Sequence, residues 1–477
     1  MDFTAVDFQN DFTTSFGKSL SPSQQLWLEA FSMFLTTPQK ESIFVLNGYA
    51  GTGKSTLIGH LVRRLPKFAF RAVLLAPTGR AAKVLSSYAK RKAFTIHKHM
   101  YYTNAKAGGG LQFRLRKNNY TNTLFIVDEA SMISADRLQS KLFENGSLLD
   151  DLIEYVDSGK NCRLMLVGDT AQLPPVHLDQ SPALDVEHLS YTFNKDIQQA
   201  TLVDVQRQTN QSGMLFNATA LREYIAQQLD SGFRFQLRAA TDVVRVQDGN
   251  ELLEALQNSL HDQGVEGVVF LVRSNKRANL YNQNIRQRIL FLDAELSVGD
   301  QLMVVKNNYF WLDDTAAAGF IANGDTIAIE HIYEYRSLYG FQFARVQVQM
   351  VDYPDQAPFE TYLLLDTLKS ESAALTQEEN QKLYQEVNAD YAHLRSKYKR
   401  LLEVKKNPFF NALQVKYSYA VTCHKSQGGQ WHTVFVEQPY LPEGTSLGYY
   451  RWLYTALTRA TDRLYLVGFT GDYFEEE

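Results

Sequence analysis

The sequence predicts an α/β protein made of two parallel-sheet units, each interrupted by an insertion, and three observations predict it. Short β-rich apolar runs alternate with amphipathic helical patterns from Ser42 to Gly468. The runs SIFVLNG, RAVLLAPT, TLFIVDEAS, RLMLVGD, GVVFLVRS, VKYSYAVT, HTVFVEQ and RLYLVGF are continuously apolar, as strands covered on both faces are. They form one group before about Val176 and a second from about Val268 onward. A chain of 477 residues exceeds what one core usually holds, and 45% hydrophobic content is enough to fill two.

The insertions follow from changes in pattern. Between His97 and Tyr120, AKAGGGLQFRLRKNN sets a glycine turn between short polar-apolar runs, which reads as a β-hairpin with a disordered loop as the alternative. From Gln301 to Leu368, FARVQVQMVD and TYLLLDTL alternate as a small barrel or sheet would. The period then changes. Thr376 and Glu379 make a capping box, and Leu383, Val387, Tyr391, Leu394, Tyr398 and Leu401 form one face of a single long helix that Asn407-Pro408 stops.

Composition narrows the function classes. No run of about 18 or more uncharged apolar residues appears, and the first residues lack the basic-then-apolar order of a signal peptide, so a soluble, cytoplasmic chain is expected. Two cysteines, Cys162 and Cys423, build neither a disulfide framework nor a zinc cluster. The net charge is -4, unlike a basic coat, so a polyanion must be met by local clusters such as Arg80, Lys83, Lys90, Arg91, Lys92 and Lys98.

The first group of strands carries phosphate chemistry. NGYAGTGKST joins the strand SIFVL to a helix, so Gly48, Ala50, Gly51, Thr52, Gly53, Lys54, Ser55 and Thr56 form a loop whose N–H groups close around phosphates. Lys54 is expected at the β and γ phosphates of ATP and Ser55 on Mg²⁺. TLFIVDEAS ends in Asp128 and Glu129, one carboxylate for the metal and one to polarise the attacking water. Gln172 in GDTAQLPPV is placed to sense the γ-phosphate.

Near the C-terminal end, VTCHKSQGGQW sets Cys423, His424 and Lys425 side by side. A metal would need more ligands nearby, and neighbours on an extended segment face opposite ways, which rules out a Cys-His dyad. A strand-to-loop turn remains, with Thr422, His424, Lys425 and Ser426 toward the phosphates of a nucleic-acid strand and Gln427 and Gly428 toward ATP.

In order, GYAGTGKS, APTGRAA, TLFIVDEAS, GDTAQLPPV, LVDVQRQT, VTCHKSQGGQW and YTALTRA closely resemble the motif series of superfamily 1 DNA helicases of the RecD-like and Dda-like branch, over nearly the whole chain from Gln24 to about Gly468. The resemblance implies two RecA-like P-loop domains with an ATP cleft between them. The first domain takes 1–97 and 121–190, with a hairpin at 98–120. The second takes 191–300 and 411–477, with an SH3-like barrel at 301–410 and a helical arm at about 374–406 that braces the barrel against the hairpin. It further implies that Gln24 reads adenine, that Gln430 touches the ribose where the family commonly has Glu, and that Arg207 and Arg459 reach the γ-phosphate. Pro77, Thr78, Gly79, Arg80, Thr95 and His97 become single-strand contacts, and Tyr101 or Trp431 would stack bases if they are not core. The implied activity is ATP-dependent 5′-to-3′ translocation and unwinding by a monomer at single-strand to duplex junctions. A nucleic-acid-stimulated ATPase that remodels protein–DNA complexes, a module that uses ATP only to gate binding, and RNA as the track stay open.

Overall fold

The computed structural model describes residues 3–37, 42–105, 111–135, 145–176, 178–205, 212–227, 232–237, 242–312, 316 and 320–475. Two parallel sheets, a closed barrel and a hairpin account for its named strands. The first sheet orders Ala93–Thr95, Arg71–Ala76, Thr121–Val127, Lys160–Gly168, Ser42–Gly48 and Asp196–Leu202 side by side. Its inner strands bury nearly every residue because helices cover both faces.

The strand Asp196–Leu202 corrects the expected organisation, which gave residues after 190 to the second unit. It runs parallel beside Ser42–Gly48 in the first sheet. Its sequence DIQQATL is half polar because it is an edge strand with partly exposed residues, so it lacks the apolar run that marks the others.

The second sheet orders Ala420–Thr422, Val268–Val272, Trp431–Glu437, Ala460–Val467 and Val243–Val246, again all parallel. The barrel is formed by Gln301–Val304, Thr326–Leu338, Phe341–Met350, Phe359–Leu364 and Leu413–Tyr417. Leu413–Tyr417 lies beyond the expected barrel limit at 410. The run VKYSYAVT is therefore divided: its first half closes the barrel, and after Ser418 and Tyr419 its second half enters the second sheet.

Tyr101–Ala105 and Leu111–Leu115 pair antiparallel, the hairpin read from the glycine turn. The long helix expected after Thr376 is instead two helices, Gln377–Asp390 and Lys397–Lys406. The apolar spacing continues across the gap, but Tyr391 leaves helical geometry and Ser396 caps a new start, its hydroxyl accepting from the Lys399 N–H at 3.4 Å. Leu383, Val387 and Val404 pack on Phe341, Phe343 and Leu364 of the barrel, and the Tyr339 hydroxyl donates to Asp390 at 2.6 Å. The described contacts of this arm are with the barrel. The base of the hairpin meets the barrel elsewhere, where Lys98 Nζ donates to the Ala316 carbonyl at 3.0 Å. No helix among the described residues is long and apolar enough to cross a membrane.

Candidate nucleotide cleft and strand-facing turns

The phosphate loop is built by the two left-handed glycines, Gly51 at φ +77° and Gly53 at φ +85°, which turn the strand Ser42–Gly48 into the helix Lys54–Arg64. Gly53 occupies the N-cap without a side-chain cap, so the first N–H groups of that helix are left to a ligand. Thr52 is buried and its hydroxyl donates to the Tyr49 carbonyl at 2.8 Å, tightening the loop. Lys54 Nζ donates to the carbonyls of Gly48 and Tyr49, the latter at 3.0 Å. The ammonium thus waits on the loop's own oxygens.

Gln24 lies under this loop rather than free beside it. Its amide nitrogen donates to the Thr52 carbonyl at 3.1 Å, while its oxygen accepts from the Ser21 N–H at 3.1 Å in a capping box. Both ends of the side chain are committed to fixing the loop.

Asp128 and Glu129 follow the strand Thr121–Val127, and Glu129 takes a left-handed φ of +53° that turns its side chain into the cleft. Burial raises both carboxyls above their ordinary range. At Asp128 this is opposed by hydrogen bonds from the Tyr88 hydroxyl and the Glu129 N–H and by the charge of Lys54. At Glu129 it is opposed by Arg459 and Lys54, while Asp128 and Asp169 add to the rise. Arg459 immediately precedes the strand Ala460–Val467 of the second sheet, so the fold brings it within electrostatic reach of Glu129. The guanidinium is buried and donates to the carbonyls of Thr455 at 3.0 Å and Gly429 at 3.2 Å. The position of Arg207 lies outside the described residues.

Contacts across the cleft are direct. The Tyr454 hydroxyl donates to Asp169 at 2.8 Å and accepts from the Ala50 N–H at 3.1 Å. The Leu173 N–H donates to the Thr455 hydroxyl at 2.8 Å, and Gln427 donates to the Leu173 carbonyl at 2.7 Å. Gln172, between Asp169 and Leu173, is buried, and its amide oxygen has no hydrogen-bond partner among the described residues.

VTCHKSQGGQW forms a short 3₁₀ turn, Cys423–Ser426. Cys423 is fully buried, its thiol donates to the Trp452 carbonyl at 3.4 Å, and burial pushes it up to about 12, so it is no thiolate nucleophile. Ser426 is also fully buried and donates to the Cys423 carbonyl at 2.8 Å. Its hydroxyl is therefore used inside the turn, whereas Thr422, His424 and Lys425 stay half-buried. Burial lowers His424 and brings Lys425 down to about 8. Gly428, at φ +73°, sits on the start of the helix Gly79–Ala89, where an added Cβ would lie 2.7 Å from that of Ala81.

The residues expected to hold a strand divide into two places. Pro77, Thr95 and His97 line a pocket of about 260 Å³ with Asn307, Phe320 and Asn323 from the barrel side. His97 is brought down to about 4 by burial, so its ring is neutral and its centroid lies 6.3 Å from that of Phe320. Thr78 and Thr95 serve as N-caps, accepting from Ala81 and Lys98 N–H groups at 3.2 Å each. Gly79 is the point where the barrel closes on this helix, since a Cβ there would meet Asp325 Oδ1 at 2.5 Å. Arg80 stands apart, its guanidinium 3.9 Å from the centroid of Trp431. It shares a second pocket with Lys83, Glu266, Asp352 and Gln430.

Residues 20–259 match the AAA domain family, and residues 417–467 match the UvrD-like helicase C-terminal domain. The chain belongs to the AAA domain family. Its ordered motifs and the second match put it in the superfamily 1 branch with RecD-like and Dda-like helicases. The chain is 25% identical over 431 residues to the ATP-dependent RecD2 DNA helicase of Deinococcus radiodurans, covering 89% of this chain and 47% of that protein. It thus spans about half the length of that relative. It is 26% identical over 272 residues to the ATP-dependent DNA helicase dda of Enterobacteria phage T4, covering 56% of this chain and 57% of the relative. Among solved structures, a Bacteroides Pif1 helicase in complex with ADP-AlF3 and ssDNA aligns over 96% of this chain and 95% of its own at 16% identity, with a TM-score of 0.46.

Three side chains of this superfamily 1 cleft escape the motif reading. Tyr88 meets Asp128 from a neighbouring helix, Tyr454 bridges Ala50 and Asp169, and Arg222 lies 4.5 Å from the ring centroid of Tyr49 in the phosphate loop. Tyr454 lies inside YTALTRA and could have been drawn from the motif; nothing local marks Tyr88 or Arg222.

Proposed function

We propose that the chain is an ATP-driven motor that moves 5′ to 3′ along single-stranded DNA and separates the duplex ahead of it. The observation that carries the reading is Arg459 of one α/β unit acting on Glu129 of the other, beside Lys54. A pocket built only to bind nucleotide has no need of a second-unit cation at the carboxylate that would activate water. In this reading Lys54 leaves the loop carbonyls for the β and γ phosphates, Glu129 accepts the proton of the attacking water, and Arg459 neutralises the charge that develops. Such an arginine is worth roughly 10³–10⁵ in turnover. Ser55 and Asp128 fit Mg²⁺, because a hydroxyl and a carboxylate are the hard oxygen donors it takes together with phosphate oxygens and water. When bound, the ion supplies positive charge to the β and γ phosphates.

The strand passes Pro77, Thr95 and His97, and the neutral ring of His97 beside Phe320 suits a base rather than a phosphate. The hairpin within 98–120 acts as the wedge, and the barrel holds the strand against it. The DNA track is supported by the names of the RecD2 and Dda relatives, and the polarity by the resemblance of the motif series alone. The same reading has the chain working as a monomer in the cytoplasm.

The deciding experiment measures ATP-driven strand separation on matched partial duplexes with a 5′ or a 3′ single-stranded tail, with Lys54→Ala alongside. Unwinding only from the 5′ tail, abolished in the variant, is expected. DNA-stimulated hydrolysis without strand separation from either tail would replace the unwinding motor with a remodelling translocase.

A further inference from the structure

Tyr88 lies on the helix Gly79–Ala89, remote in sequence from both nucleotide motifs, yet its hydroxyl donates to Asp128 Oδ2. The phenol therefore occupies an oxygen of Asp128, one of the two side chains whose oxygens suit a divalent cation. The other Asp128 oxygen accepts from the Glu129 N–H at 3.0 Å, so each carboxylate oxygen already accepts one hydrogen bond in this state. Backbone packing fixes the phenol's place. The Lys54–Arg64 helix approaches so closely that a Cβ on Gly59 would stand 2.8 Å from the Tyr88 carbonyl.

We infer that Tyr88 is a positioning residue that closes the metal site by holding Asp128, and that a divalent cation arriving with the nucleotide must displace its hydroxyl. The inference rests on the nucleotide reading above. It assigns the phenol a cost to metal entry, so removing the hydroxyl makes the metal bind more tightly. A residue that merely supported the site would do the reverse when truncated. The magnitude follows from population: affinity is reduced by the fraction of sites that are closed. A hydrogen bond to a charged acceptor corresponds to roughly tenfold or more in that balance. At its other end the Tyr88 helix meets Gly428 through Thr78 and Ala81, and Arg80 lies over Trp431.

The test is Mn²⁺ binding in the presence of ADP, followed by electron paramagnetic resonance of free Mn²⁺ on the full chain, for wild type, Tyr88→Phe, Tyr88→Leu and Lys54→Ala. Both Tyr88 variants are expected to lower the Mn²⁺ half-saturation point by about tenfold, and in hydrolysis assays to lower the Mg²⁺ concentration at half-maximal rate. An unchanged or weakened half-saturation point in Tyr88→Phe overturns the inference. If wild type itself binds no Mn²⁺–ADP and matches Lys54→Ala, the nucleotide reading falls together with it. Loss in Lys54→Ala with no tightening in either Tyr88 variant overturns the Tyr88 inference alone.

Discussion

Replacing Glu129 with Gln tests the chemistry of the cleft at its most crowded point. Asp128, Glu129 and Asp169 place three carboxylates against the cations of Lys54 and Arg459. The change keeps the side chain's shape and leaves two carboxylates facing two cations. Burial disfavours the charged form of Glu129, and an amide has no charge to bury, so the fold should lose nothing and gain up to about 1 kcal/mol. Turnover behaves oppositely. A positioned general base contributes about 10²–10⁴, or roughly 3–5 kcal/mol of barrier, and an amide cannot accept the proton. Two assays on one variant are therefore expected to diverge: phosphate release with single-stranded DNA falls at least a hundredfold, and the melting temperature stays level or rises. In wild type, hydrolysis should also decline on acidification from a point above the ordinary glutamate range, because burial raises Glu129. A loss of turnover below tenfold, or a clear fall in melting temperature, would refute the assignment of Glu129 and the charge balance behind it.

Gly428→Ala forces a side chain onto Ala81 at a backbone angle of +73°, a strain of roughly 1–3 kcal/mol at the seam between the two units. DNA-stimulated turnover is expected to fall at least tenfold while ADP affinity is retained; equal loss of both would show that the turn serves the fold rather than the coupling. Asp325→Asn addresses stability: burial pushes this carboxyl up to about 8, and its Oδ1 has no hydrogen-bond partner among the described residues. The folded state holds a proton that the unfolded chain releases near pH 4, so wild-type stability is lost as pH rises from about 4 to about 8. The variant should melt with wild type near pH 4 and exceed it by about 1–3 kcal/mol above pH 8, as read from thermal unfolding across that range.

The local features of the cleft were legible because each is written in consecutive residues. A strand, a glycine loop and a helix in NGYAGTGKST dictate the phosphate loop, and the alternation of FARVQVQMVD dictates a barrel strand. What escaped depends on partners distant in sequence. DIQQATL pairs with Ser42–Gly48, although its polar residues at an exposed edge give no apolar signal. The two-helix arm keeps a helical period through Tyr391 and Leu394, so only the backbone at Tyr391 and the cap at Ser396 reveal the break. Arg80 and Ser426 sit in the expected segments, but tertiary packing uses one on Trp431 and hides the other inside its own turn.

Motion across the cleft follows from where its contacts land. Tyr454, Thr455 and Gln427 all reach the short stretch Asp169–Leu173, and Tyr454 holds the phosphate-loop Ala50 N–H as well. The stretch between the sheets is thus gripped from the helix that carries Arg459 toward Glu129 and from the turn that rests on the Gly79–Ala89 helix. Each such hydrogen bond is worth about 1 kcal/mol net, somewhat more where Asp169 accepts, so the grip totals only a few kcal/mol. Differential affinity for ATP over ADP need only be of that size to make or break it. Ala171 and Leu173 of the same stretch also pack among apolar side chains of the second unit, so the hydrogen bonds are only part of what closure makes. They are the part that reaches the phosphate loop, through Tyr454 at the Ala50 N–H, where a bound nucleotide would act on the seam first.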